Sequence, residues 1–269
     1  MEKQKGKLRD FMEAGREELV ERISESEVVP QMAKSALEYV TTEGVADVMG
    51  NIIGGALPRI NGIRLSYQQN RFERNVNAAI SEFSTRLDRM DEKLSQMDDS
   101  LIEKFRGLYV EWLLDSFQNE KQSDKIPLFV DGYINMMDNS TNDDLMLMFF
   151  STLNDLTDLD MLVLEMYHYN GQVNLMTLTE ERKIPYEQIE LIKEKLLRNG
   201  LLSSKNDEQR DANLDEVVRF VTDLEKQLNA KTGKKLKKAK IKKVSRSESY
   251  GITPLGRRYL ELTGKVQGY

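Results

Sequence analysis

The residues in this sequence that could do chemistry are one histidine, several groups of carboxylates and a run of lysines. His168 is the only histidine and cysteine is absent, which excludes a Cys–His dyad. A Ser-His-Asp triad would depend on this one imidazole, which follows Tyr167 late in a predicted helix. A helix C-terminus stabilises a protonated imidazole, so a structural role is expected for His168.

Three sets of carboxylates could hold Mg²⁺ or transfer protons. They are Asp98 with Asp99, Asp143 with Asp144, and the group Asp155, Asp158 and Asp160. The first set falls inside a predicted long helix, where a solvated face explains it. The other two fall where helices are predicted to begin, and Asp is a common N-cap. No EF-hand loop, P-loop or dinucleotide fingerprint occurs. We therefore expect no enzyme activity, no metal and no cofactor.

A basic run occupies residues 231–246 of a chain whose formal net charge is −6. Such a run can clamp the phosphates of nucleic acid or another anion, or it can be a solvated loop. The candidate contacts are Lys234, Lys235, Lys237, Lys238, Lys240, Lys242, Lys243 and Arg246.

Composition predicts a soluble, helix-rich protein, because 39% of residues are apolar and 31% are charged. The absence of cysteine fits a reducing cytoplasm. The polar start Met1-Glu2-Lys3 predicts no signal peptide. We expect a cytoplasmic protein, with membrane association as an alternative that depends on the next segment.

Residues 44–63 are rich in glycine and apolar side chains. Small residues allow close backbone approach, which favours a packed helical hairpin in a core. Shallow insertion into a membrane is the alternative, although Asp47 and Arg59 disfavour a stable span. The packing or membrane-contacting residues would be Ile52, Ile53, Leu57 and Ile60.

A single long helix is predicted over residues 64–119. Its apolar positions alternate steps of three and four, which is a heptad seam. The seam consists of Ile80, Phe83, Leu87, Met90, Leu94, Met97 and Leu101. Its partner could be a second copy, giving a homo-oligomer, or another helix of the same chain.

The C-terminal pattern predicts a domain of helices and a small β-wing. A helix near Asp160 is followed by one that ends at Asn199-Gly200, a left-handed stop. The segment Tyr250–Leu262 reads as a strand, a Thr253 N-cap with Pro254 at the first helical position, and a helix. We therefore predict a mainly α fold with a helical region at 1–157 and a winged-helix domain at 158–269. The basic insertion at 203–249 interrupts the wing.

This pattern resembles a winged helix-turn-helix domain, and it is similar to the C-terminal part of the abortive-infection alpha family of bacterial proteins. The matching residues are Leu156, Leu159, Asp160, Leu196, Gly200, Leu201, Thr253, Pro254, Gly256 and Arg257. The resemblance implies a role in defence against phage. It covers roughly the last two fifths of the chain.

Three functions follow as hypotheses. The third helix of the winged domain carries Glu187, Glu190 and Glu194, which would repel DNA phosphates. A non-enzymatic interaction protein that binds a protein partner, with membrane perturbation through residues 44–63, is therefore expected first. A DNA-binding regulator that uses the lysine run is the second hypothesis, and a structural coiled-coil oligomer is the third.

Overall fold

The computed structural model describes residues 48–53, 55, 56, 59, 66–169, 180, 183–230, 237–245 and 247–266. The described chain is mainly helical and contains one small antiparallel sheet. It forms two compact units. The first comprises Met1–Asp158 with Glu261–Tyr269, and the second comprises Leu159–Leu260.

Helices make up the described part of the first unit. They are α1 Ser66–Ser84, α2 Leu87–Leu94, α3 Asp99–Arg106, α4 Leu108–Asn119, a 3₁₀ turn Ser123–Lys125, α5 Ile126–Asn135 and α6 Asp143–Asp155. Helix α7, Asp158–His168, leads into the second unit, which continues with α8 Tyr186–Arg198, strand β1 Leu202–Ser204, α9 Lys205–Ala230, strand β2 Tyr250–Ile252 and α10 Pro254–Leu262.

The single helix predicted over 64–119 is wrong, because the described part of this range forms α1 to α4. Near the first break, the hydroxyls of Ser84 and Thr85 donate to carbonyls three residues earlier, at 2.7 and 2.8 Å. Such side-chain bonds compete with helix continuation. Asp98 adopts an extended backbone (φ −70°, ψ 141°), and Gly107 leaves the helical region (φ −112°, ψ −90°). Apolar spacing can persist across breaks of this kind, so periodicity did not reveal them.

An aromatic cluster forms the centre of the first unit. Phe105 meets Tyr109 and Tyr133 edge to face, with ring centroids 4.9 and 5.3 Å apart, a favourable geometry for aromatic pairs. The buried hydroxyl of Tyr133 donates to the carbonyl of Phe105. Gly132 is required here because a Cβ at this position would overlap the ring of Phe149.

A buried ion pair joins the end of α4 to the 3₁₀ turn. The ammonium of Lys125 binds the carboxylate of Glu120, and both side chains are buried. The other oxygen of Glu120 accepts the backbone N–H groups of Lys121 and Gln122, each at 2.7 Å. Each carboxylate oxygen therefore has a polar partner, as a buried charge requires.

The sheet of the second unit pairs β1 with β2 in antiparallel register, with Leu202 opposite Ile252 and Ser204 opposite Tyr250. Gly200, with φ +69°, follows α8 in the left-handed conformation that the sequence predicted. The predicted cap at Thr253 is confirmed, because its Oγ1 accepts the N–H of Gly256 at 2.9 Å. The same hydroxyl donates to the carbonyl of Gly200 at 2.7 Å, so one side chain links the start of α10 to the end of α8.

Candidate interaction surfaces

The predicted carboxylate sets do not form a shared site in the described part of the chain. No group of three His, Cys, Asp or Glu residues there could hold a metal ion. Asp143 accepts from Lys104 Nζ at 2.8 Å and from the Tyr109 hydroxyl at 2.6 Å. These bonds lower the pKa of Asp143, so it remains ionised and anchors its neighbours.

The other carboxylates of these sets range from buried to exposed. Asp160 is buried and accepts from Lys195 Nζ at 2.9 Å. Asp98 and Asp99 lie exposed at the start of α3, and not within a long helix as the sequence suggested. The N-cap of α6 is Asn142, whose side chain accepts the N–H of Leu145 at 3.0 Å. Capping was predicted there, but with Asp143 or Asp144 as the cap.

His168 ends α7, as predicted from the pattern. Its ring meets Tyr169 edge to face, with centroids 5.1 Å apart. The Nδ1 atom is buried without a hydrogen-bond partner among the described residues. No carboxylate or hydroxyl in that part of the chain forms a bond to the imidazole that would resemble a catalytic dyad.

A lysine–tyrosine cluster lies where α8 meets β2. Lys193 is only 6% exposed, and its Nζ lies 5.4 Å from the ring centre of Tyr186 and 5.7 Å from that of Tyr250. Its Nζ also binds Glu190 Oε1 at 2.6 Å. Cation–π contacts and an ion pair thus replace water around this ammonium.

The electrostatics of the cluster favour uncharged tyrosines. Burial, with the charge of Glu190 adding to it, raises the pKa of Tyr167 to about 12. A hydrogen bond to Glu190 raises the pKa of Tyr186. Burial also raises the pKa of Tyr250. The burial of Lys193 depends on Tyr250 of strand β2, which is distant from α8 in sequence.

Comparison with protein-family models, with curated proteins and with solved structures finds no match.

The basic run lies beside α9 where it is described. Asn213 exchanges two hydrogen bonds with the backbone of Lys242, at 2.7 and 2.8 Å. Glu216 accepts the N–H of Lys240 at 3.3 Å, and Asn206 donates to the carbonyl of Ser245 at 3.3 Å. Residues later in α9 bind residues earlier in the basic segment. The segment therefore runs antiparallel to the first half of α9.

The lysine side chains of this segment point into solvent. Five of the predicted contact residues are exposed: Lys237, Lys238, Lys240, Lys242 and Lys243. Lys234, Lys235 and Arg246 lie outside the described residues. The segment is neither helix nor strand where it is described, and polar side chains of α9 hold its backbone.

The heptad seam lies inside the first unit. Ile80, Phe83, Met90, Leu94 and Met97 are buried, and Leu87 and Leu101 are half-buried. Helix α1 packs on α4 and α5, so the same chain covers these apolar positions. This burial favours a partner helix of the same chain over a second copy, the two alternatives that the spacing left open, since most of the seam side chains are already covered.

The glycine-rich segment is helical and packed where it is described. Ile52 and Ile53 are buried, and Asn51 Nδ2 donates to the carbonyl of Arg106 at 2.7 Å. Arg59 forms ion pairs with Glu111 and with Asp115. Leu57 and Ile60 lie outside the described residues. None of the described helices is long and apolar enough to span a membrane.

Proposed function

We propose that this chain is a non-enzymatic interaction protein whose second unit is a winged helix used for protein contact. The order α7, α8, β1, β2, α10 supports this, with α9 inserted between the two strands. In a DNA-binding winged helix, the helix corresponding to α8 enters the major groove. The charge and exposure of the side chains on α8 therefore distinguish a protein-binding role from a DNA-binding role.

The single observation that carries the proposal is that two of the basic side chains of α8 are held within the second unit. Lys193 is buried between two tyrosines and Glu190, and Lys195 binds the buried Asp160. A lysine that is committed in this way is not available to neutralise a phosphate, and phosphate contacts dominate DNA affinity.

The exposed face of α8 carries apolar side chains, two glutamates and Arg198. Leu191 and Tyr186 are 65% and 62% exposed, and Glu187 and Glu194 are exposed beside them. A shallow cavity on the same face is lined by Leu191, Glu194, Lys195, Leu197 and Arg198. Exposed aromatic and aliphatic anchors with an acidic rim suit a protein partner that offers basic and apolar side chains.

Site-directed photo-cross-linking in the native host tests this role. A cross-linking residue at position 194 should give one defined protein adduct, and Leu191→Asp in the same chain should remove it. A cross-linking residue at the exposed position 208 of α9 is the matched control and should not give that adduct. No adduct at position 194, together with binding of duplex DNA at low salt, would contradict the proposal.

The exposed lysines of the basic segment support a second candidate function, which is sequence-independent binding of nucleic-acid phosphates. Such binding should weaken steeply with salt, because each phosphate contact releases counterions. A mobility shift that is lost when Lys237, Lys238, Lys242 and Lys243 become Glu, but retained in Leu191→Asp, would support it. Absence of a shift at low salt would end it.

Two parts of the initial hypothesis remain predictions. A role in phage defence rests on the resemblance to the abortive-infection alpha family. Membrane perturbation would require the buried Ile52 and Ile53 to leave their packed positions first, which makes it a secondary activity in this proposal.

A further inference from the structure

Polar side chains on one face of α9 hold the backbone of the described basic segment, residues 237–245. The amide of Asn213 forms two of these bonds, because its Nδ2 donates to the carbonyl of Lys242 at 2.7 Å and its Oδ1 accepts the N–H of Lys242 at 2.8 Å. Gln209 Nε2 donates to the same Oδ1 at 3.2 Å, which fixes the orientation of the amide. Asn213 is thus the central contact between the helix and the segment.

Two further side chains of α9 fix the segment on either side of Asn213. Asn206, which is buried, donates to the carbonyl of Ser245 at 3.3 Å. Glu216 accepts the N–H of Lys240 at 3.3 Å. The three residues of α9 are spaced seven and three positions apart in sequence, so they share one face of the helix. The segment is therefore held at three points before any ligand binds.

The charges of the segment remain available to an external anion. Its five lysines are exposed, and none of their ammonium groups forms an ion pair with another described residue. The arginines of α9 differ, because Arg210 binds Asp207 and Arg219 binds Glu216. The first half of α9, residues 205–217, carries five acids and two bases. The five lysines beside it therefore keep the combined surface positive at neutral pH.

The chemistry of the segment fits the sugar–phosphate backbone of a nucleic-acid duplex. Lysine ammonium groups bind phosphates as point charges. No aromatic residue occurs in 237–245, whereas sequence-independent sites for single strands use aromatic rings on which the bases stack. A duplex also carries about twice the charge per unit length of a single strand. A site that offers charge without stacking therefore favours the duplex.

We infer that residues 237–243 form a preorganised clamp for the backbone of duplex nucleic acid, and that Asn213 is the positioning residue of this clamp. The inference rests on the second candidate function, which is the binding of nucleic-acid phosphates. It adds the duplex as the ligand and α9 as the scaffold. A segment that is already held loses less conformational entropy when it binds. Release of the segment should therefore weaken binding, although every lysine is retained.

The first test measures the affinity of the full chain for a short fluorescent duplex at several salt concentrations. Asn213→Ala should weaken binding about 5- to 10-fold with an unchanged salt slope, because the segment loses order and not charge. Lys242→Gln should instead reduce the slope by about one. Asn229→Ala removes an exposed amide near the other end of α9 and should bind as the wild type does. Equal affinities of Asn213→Ala and the wild type would overturn the role of Asn213.

The ligand class is tested with a single strand of the same length as the duplex. The wild type should bind it at least about 10-fold more weakly than the duplex at low salt, because the single strand offers less charge and the segment offers no stacking. Equal or tighter binding of the single strand would overturn the assignment of a duplex.

Limited proteolysis of the free protein tests the scaffold without nucleic acid. Trypsin cleaves after lysine, and in Asn213→Ala cleavage within 237–243 should be at least about 5-fold faster than in the wild type, because the segment opens more often. Circular dichroism should show equal helicity in both proteins. Equal cleavage rates would overturn the scaffold role of Asn213, even where the wild type binds the duplex. Faster cleavage without duplex binding by the wild type would overturn the phosphate-binding function and the ligand of the clamp, while the scaffold role of Asn213 would stand.

Discussion

The carboxylate of Glu190 binds the ammonium of Lys193 three residues later, at 2.6 Å, while that ammonium lies over the rings of Tyr186 and Tyr250. The contact of Lys193 with Tyr250 links α8 to β2, and these contacts together hold the positive charge of Lys193 in a buried position. We therefore expect the contacts that stabilise the second unit to make Lys193 unavailable for phosphate binding.

The acid stability of the second unit should depend on this pair. Burial raises the pKa of Glu190, but hydrogen bonds from Lys193 and Tyr186 and the charge of Lys193 outweigh it, so the pKa is lowered. A lowered carboxyl pKa stabilises the fold above the unfolded pKa of about 4.3, and this contribution is lost as the pH falls through the folded value.

Lys193→Met should therefore flatten the loss of thermal stability between about pH 5 and pH 3, while lowering stability at pH 7. Thermal unfolding of both proteins, followed by circular dichroism at several pH values, measures the difference. Lys226→Met changes an exposed lysine of α9 and should retain the wild-type profile. An unchanged acid profile in Lys193→Met would argue against the coupling.

Removal of the Lys125 ammonium should destabilise the first unit severely. Lys125→Met leaves the carboxylate of Glu120 buried without its counter-ion, which costs about 3–5 kcal/mol. Lys121→Met, at an exposed neighbour, should change the free energy of unfolding by less than about 0.5 kcal/mol. The measurement is denaturant unfolding monitored by the single Trp112.

A second substitution checks the cause of that loss. Adding Glu120→Gln to Lys125→Met removes the unpaired charge, while the amide oxygen can still accept the N–H groups of Lys121 and Gln122. We expect part of the stability to return. If the double variant is no more stable than Lys125→Met, the buried charge is not the source of the cost.

Two glycines of the second unit should respond differently to a methyl group. A Cβ at Gly256 would overlap the carbonyl oxygen of Leu201 and lie 2.9 Å from Ile252 Cγ1. Gly256→Ala should therefore cost about 1–3 kcal/mol, as overpacking does. At Gly251 the nearest atom would be Lys205 Cε at 3.5 Å, so Gly251→Ala should be tolerated. Thermal unfolding of the two variants makes the comparison, and equal melting temperatures would contradict the tight contact.

The packed state of the glycine-rich segment can be tested with Ile53. Ile53→Asp places a carboxylate in a buried position and should destabilise the first unit by more than about 3 kcal/mol. Ile53→Val should cost only about 0.5–1.5 kcal/mol. Leakage assays with anionic liposomes complete the test. The folded wild-type chain should cause no leakage, and strong leakage at neutral pH would favour the membrane alternative.

Local signals in the sequence predicted several parts of the fold correctly. Thr253 and Pro254 start α10, and Gly200 follows α8 in the left-handed conformation, because capping and positive φ depend on a few adjacent residues. The mainly α class followed from apolar periodicity. Periodicity did not reveal the helix breaks before Leu87, Asp99 and Leu108. Apolar residues can keep the same spacing in the sequence even where the helix is interrupted.

The candidate surfaces were less predictable, because exposure depends on residues that are distant in sequence. The heptad from Ile80 to Leu101 and the apolar stripe from Leu214 to Leu228 on α9 have the same spacing, yet one is buried and the other faces solvent. In the same way, the contacts of Lys193 with Tyr250 and of Lys195 with Asp160 depend on residues outside α8.

The sequence by itself determined the helical class, the Thr253 cap and the presence of a basic run, because each depends on local backbone and side-chain chemistry. Only the tertiary structure decided which apolar face is free and which lysines are committed. Burial and ion pairing join residues such as Asp160 and Lys195, whose 2.9 Å contact spans 35 positions of sequence. A pattern within one helix carries no information about such a partner.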